Sequence, residues 1–125
     1  MTFFIAEICS NHLNNIQRSK KLIDEAKRIG CDAVKFQLFK SDKLFAPEIL
    51  KKSKSHQKIK SLELSQKLIP ILSRYARRKG LLFGCTPFDL EAVDDLKKHV
   101  DFYKIGSYEL LRLDIFKKCI KNKKD

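Results

Sequence analysis

The sequence predicts an α/β protein built on a parallel sheet, and three observations predict it. The short apolar runs are continuous instead of alternating, as in strands covered on both faces. Between them lie stretches whose apolar residues recur at helical spacing. The two kinds of segment take turns along the chain, giving the order β-α-β-α-β-α-β-α.

Phe3 to Ile8 is the first apolar run and reads as a strand. Asn15 is placed to cap a helix in which Ile16, Ser19, Leu22, Ile23, Ala26 and Ile29 share one face, until Gly30 stops it. Ala33 to Leu38 is the second strand. Lys40 to Lys60 is a polar stretch rich in Lys and Ser, with Pro47 inside it, and reads as a long loop. Leu68, Ile69, Leu72, Tyr75 and Ala76 mark a second helix, closed by Lys79-Gly80, with Pro70 confined to its first turn. Leu81 to Cys85 is the third strand, and Asp89 is positioned to cap a third helix carrying Val93 and Leu96. Phe102 to Ile105 is the fourth strand, and a last helix across Leu110 to Asn122 aligns Leu113, Phe116 and Ile120.

Two architectures fit this order: an open doubly wound sheet, or half of a (β/α)8 barrel. A full barrel takes roughly 250 residues, and the four βα units here occupy 125. In either case ligands meet the carboxyl ends of the strands. Glu7, Lys35, Gln37, Thr86, Lys104 and Ser107 fall at those ends.

Composition narrows the class. The chain is 43% hydrophobic and 10% aromatic, a globular composition. The opening run Thr2-Phe3-Phe4-Ile5-Ala6 is cut by Glu7, so it reads as neither a signal peptide nor a membrane span. Cys9, Cys31, Cys85 and Cys119 are far apart and form no Cys-x-x-Cys pair, which predicts reduced thiols in a cytoplasmic protein without a zinc site. The net charge is +12, but residues 51–80 hold ten Lys/Arg against the single acid Glu63. That concentration reads as a solvated helix face and loop, including Lys51, Lys52 and Lys54. No interleaved aromatic motif accompanies it, so nucleic acid is not the expected partner.

The chemistry lies in two lysines set inside apolar runs, in Ala33-Val34-Lys35-Phe36-Gln37 and in Phe102-Tyr103-Lys104-Ile105-Gly106-Ser107. A lysine in such a run is costly to bury unless an anion meets it. Two of them on separate strands predict a pocket for a multiply charged small molecule. The competing role for either is an ion pair with Glu7 or Glu109. Thr86 and Ser107 can donate hydroxyls to the same anion or cap the following helices. Gly106 allows close approach of backbone and ligand, or relieves the strand exit. Glu7 and Glu109 are candidate acid/base or hydroxyl-binding groups, and Gln37 offers both a donor and an acceptor. His12, beside Asn11, reads as structural, and His56 and His99 receive no role.

At these residues the chain resembles the sialic-acid synthase family, which makes N-acetylneuraminate and related nonulosonates. The matching motifs are Ile5-Ala6-Glu7-Ile8 with Asn11-His12, Cys31 to Gln37, Cys85-Thr86-Pro87-Phe88-Asp89, and Val100 to Leu110. The resemblance implies the first four βα units of a TIM barrel across residues 1–125, with no second domain. It also implies condensation of phosphoenolpyruvate with an open-chain N-acetylated hexosamine. Lys35, Thr86, Lys104 and Ser107 would hold phosphoenolpyruvate, and Gln37, Phe88 and Glu109 would face the sugar. Glu7, Lys35 and Lys104 would be the catalytic groups. The family's divalent metal, Mn or Mg, is held by histidines of later strands, so no metal ligand is expected in this chain. Cys9 and Gly106 depart from the family pattern, which usually has glycine and alanine there. Half a barrel has open edges, so a companion half or self-association is expected for activity. The alternative is a non-catalytic remnant or anion-binding module.

Overall fold

The computed structural model describes residues 1–52 and 54–122, with the side chains of residues 50–52 outside that description. Lys51 and Lys52 of the basic segment therefore lie outside the described side chains. Four strands, β1 (Ile5–Cys9), β2 (Ala33–Leu38), β3 (Leu82–Pro87) and β4 (Phe102–Tyr103), form one parallel sheet in the order β1-β2-β3-β4. Sequential order means that every crossover steps the same way. That is the winding of a barrel wall, whereas a doubly wound sheet reverses direction partway.

The helices confirm this winding. Helices α1 (Ile16–Arg28), α5 (Ile69–Arg78) and α6 (Leu90–Leu96) all pack on one face of the sheet. Their Ile23, Ala26, Ile69, Leu72, Ala76, Ala92 and Leu96 close over Ile8, Val34, Phe36, Leu38, Phe83 and Cys85. Phe36 and Phe83, both fully buried, meet at 5.4 Å between ring centroids. Burying each contributes on the order of 2–3 kcal/mol. Among the described residues the helices of the core lie on this one face, and on the other Ile5 and Leu82 are exposed.

The predicted helix ends hold. The Asn15 side chain accepts from the Arg18 N–H at 2.9 Å and Asp89 from the Ala92 N–H at 2.8 Å, each satisfying an orphan donor of a first turn. Gly30 and Gly80 follow α1 and α5 with φ of +87° and +72°, the left-handed conformation that ends a helix. Pro70 sits in the first turn of α5.

Four expectations need correction. The stretch from Lys40 to Lys60 is not a plain loop, since it contains α2 (Ser41–Leu44), α3 (Pro47–Lys52) and α4 (Lys54–Lys60). Lys is a good helix former, and the polar composition concealed these short helices; α4, for one, has no buried residue. β1 begins two residues later than expected and β3 runs two residues further, while β4 pairs only through Phe102 and Tyr103. In the last helix, α7 (Leu113–Lys121), Ile115 and Cys119 are the buried residues, while Leu113 and Ile120 are exposed. The helix is apolar on two stripes, and packing of Ile115 and Cys119 with Val93 of α6 selected the other one. Finally, coverage of both sheet faces, which the continuous runs implied, is realised on one face only.

Candidate functional site

Register places the candidate residues. Glu7, Lys35, Gly84 and Phe102 are Cα partners across the four strands, and Gln37 pairs with Thr86 one layer further toward the carboxyl ends. Side chains alternate along a strand, so Lys35 and Gln37 share the face away from the helices, with Glu7 and Thr86 beside them.

Lys35 is 3% exposed. Its Nζ lies 2.8 Å from Glu7 Oε2 and donates to Thr86 Oγ1 at 3.2 Å. The ion pair with Glu7, the competing role for Lys35, is therefore formed, and Thr86 is a ligand of the ammonium, since Asp89 caps the following helix. Glu7 itself is half exposed, so the pair faces an open rim. Its Oε2 also accepts from the Cys9 thiol at 3.0 Å. Burial opposes ionisation of Glu7, but the Cys9 and Lys35 bonds outweigh it and the Lys104 charge adds to them. The Glu7 carboxyl is thereby held below its ordinary value of 4.5. The same surroundings push the Cys9 thiol up, through burial and the neighbouring Glu7.

Lys104 is exposed and lies within electrostatic range of Glu7, so both ammonium groups act on one carboxylate. Gln37 is half-buried, with the Ser10 hydroxyl donating to its Oε1 at 3.5 Å. Phe88 stands edge-on to Phe39 with centroids 5.8 Å apart. Ser107 is exposed and opens a short 3₁₀ turn, Ser107–Glu109, without capping it. Glu109 is 5% exposed, and its Oε2 has no hydrogen-bond partner among the described residues. Burial raises its carboxyl above the ordinary value.

Two supports were not found from sequence. Cys9 adopts φ of +48° where β1 loses register with β2, which turns its thiol onto Glu7. A non-glycine residue in that conformation is uncommon. Gly84 is the second: a Cβ there would lie 2.1 Å from the Phe102 ring, so β4 packs its aromatic ring over the bare backbone of β3. Its one sequence signal was a glycine inside a strand, which marks close approach. The structural reading of His12 stands. It is buried, its Nδ1 accepts from the Asn14 N–H at 2.8 Å, and Asn14 Oδ1 accepts from the Ser65 N–H at 2.9 Å, which anchors the loop after β1. Among the described residues no group of three or more His, Cys, Asp or Glu converges as a metal site.

Comparison with known proteins bears on what this rim serves. The model of the NeuB family matches residues 22–125. An uncharacterized protein from Methanocaldococcus jannaschii is 40% identical over 98% of this chain and 36% of its own length. The N,N'-diacetyllegionaminic acid synthase of Campylobacter jejuni is 38% identical over 98% of this chain and 40% of its own. Among solved structures, the N-acetylneuraminic acid synthetase of Leptospira borgpetersenii, crystallised with citrate, superposes with a TM-score of 0.86 at 27% identity. That match covers 96% of this chain and 41% of the other. The chain thus spans about two fifths of the relatives it matches.

Proposed function

This chain belongs to the NeuB family, and from that premise we propose that it forms the phosphoenolpyruvate-holding wall of a nonulosonate-synthase barrel, acting in carbohydrate biosynthesis. The observation that carries the proposal is Lys35, an almost fully buried ammonium at a strand end, with a second ammonium, Lys104, acting on the same carboxylate. Two cations against one half-exposed acid leave the rim short of negative charge, and a phosphate-carboxylate ligand supplies it.

In this reading Lys35, Lys104 and the Thr86 hydroxyl hold the anion, with Ser107 as a further donor from the loop. Glu7 then lies against the reacting carbons or their water, and Gln37 and Phe88 face an open-chain N-acetylated hexosamine. The enol carbon of phosphoenolpyruvate attacks the sugar aldehyde, water adds to the resulting cation, and C–O cleavage releases phosphate. Positioning and charge neutralisation are the contributions of these side chains. The resemblance assigns the divalent metal to histidines of later strands, so no step here is routed through one.

The rest of the barrel is the proposed partner, in the same polypeptide or another. A groove of about 640 Å³ lined by Phe102, Tyr103, Ile105, Phe116 and Ile120 lies beside the β4 edge. Tyr108 and Leu111 nearby are 92% and 90% exposed. The test is reconstitution: this chain, a companion half from the Campylobacter relative, manganese, phosphoenolpyruvate and an N-acetylhexosamine. Phosphate release that disappears with Lys35→Ala supports the synthase. Phosphoenolpyruvate binding without turnover supports an anion-binding module instead.

A further inference from the structure

The pairing of β2 with β3 ends at Leu38 and Pro87, but the two segments stay joined beyond it. The Phe88 N–H donates to the Leu38 carbonyl at 3.2 Å, and the rings of Phe39 and Phe88 meet edge to face. The charged residues that follow repeat the connection. Lys43 of α2 places its Nζ 3.1 Å from Asp89 Oδ2 and 2.6 Å from Glu91 Oε2, and Lys40 reaches Glu91 Oε1 at 3.4 Å. Asp89 caps α6 with its other oxygen. The residue directly after Phe88 is therefore bound both to its own helix and to α2 across from it. Exposed ion pairs are ordinarily weak, because two flexible side chains must be ordered to form them. Here the platform is fixed in advance. Ser41, fully buried at the start of α2, donates its N–H and its hydroxyl to Glu63 Oε1 at 2.8 and 2.6 Å. Asp89 is itself only 18% exposed. Burial opposes its ionisation, but the Ala92 N–H and Lys43 outweigh it and hold the carboxyl below its ordinary value.

We infer that Lys43 is a positioning residue for the sugar side of the site: by tying α2 to the start of α6 it holds Phe88 against Phe39. The anion side has separate supports, since Lys35 is held by Glu7 and Thr86, which lie outside the Lys43 pairs. Loosening Lys43 therefore disturbs the group that meets the N-acetylated hexosamine and leaves the phosphoenolpyruvate ligands in place. The inference rests on the reading above for its consequence for the sugar, whereas the tie from Lys43 to Phe88 stands apart from it.

Two measurements test it, both with Lys43→Met, which keeps the length of an exposed side chain and removes its charge. The first needs no ligand. With 4-fluorophenylalanine at position 88, the fluorine NMR resonance of this chain is expected to move or broaden in Lys43→Met and to return in Lys43→Arg. It stays put in Lys79→Met, which breaks the comparably exposed pair of Lys79 with Asp24 elsewhere on the fold. An unchanged resonance in Lys43→Met, or an equal change in Lys79→Met, overturns the inference. The second is the reconstituted synthesis described above, with N-acetylmannosamine as the probe sugar. In Lys43→Met the KM for the sugar rises about threefold, the size of an exposed ion pair, the KM for phosphoenolpyruvate stays the same, and Lys43→Arg restores the first. An unchanged sugar KM, or an equal rise in both, overturns the inference. If the reconstituted wild type releases no phosphate, the reading of the site fails on its own, and the fluorine resonance decides the role of Lys43 separately.

Discussion

Lys35 shows how a single buried charge is made tolerable. Its ammonium has Glu7 on one side and the Thr86 hydroxyl on the other, and Glu7 keeps its far side in water. Removing one member of a buried pair is costly because it leaves the other charge buried and unpaired; Glu7 is half exposed, so that cost is largely absent here. Lys35→Met is expected to alter stability by about 1 kcal/mol or less in denaturant titration. The Glu7 carboxyl, held below 4.5 by Cys9 and Lys35, stabilises the fold above that value and loses the contribution as pH falls through its folded value. The Tm advantage of wild type over Glu7→Gln is therefore expected near neutrality and shrinks on acidification, whereas a constant difference from about pH 7 to about pH 3 would contradict the pairing. Lys35, Glu7 and Thr86 were legible in the sequence because their types and strand-end positions state their chemistry. Cys9 and the burial of Glu109 were not, because both depend on a local backbone turn that no residue type announces.

At the scale of elements, the sheet is set by what each strand lends its neighbour. β4 is only two residues long, and its Phe102 ring lies where a Cβ of Gly84 would be. Gly84→Ala is expected to cost about 1–3 kcal/mol by overpacking, read as a lower Tm, with partial recovery when Phe102→Leu is added. An unchanged Tm would mean that β4 is not held through that contact. Helices with one apolar stripe and a capping residue, α1 and α6, were readable from sequence, since pattern and cap agree. α7 was misread because its two apolar stripes were equally plausible until α6 selected one. The helix α4 was hidden for the converse reason: with no buried residue it leaves no periodic signal.

At the largest scale this chain forms a barrel wall with one finished side. Helices close the outer face, while Ile5 and Leu82 on the other face, and Tyr108, Leu111 and Leu113 around β4, remain exposed apolar surface. Surface of that kind is expected to drive association. In size-exclusion chromatography the chain should therefore run as an oligomer by itself and as a defined complex with a companion half; a stable monomer that ignores the companion would contradict the partner proposal. In the proposed function this wall binds a phosphate-carboxylate anion through the two ammonium groups of Lys35 and Lys104. Calorimetric titration of phosphoenolpyruvate into wild type, Lys35→Met and Lys104→Met is the most direct test. Wild type should bind saturably, with affinity lower by at least about tenfold in each folded variant. Equal affinity in all three proteins would contradict it.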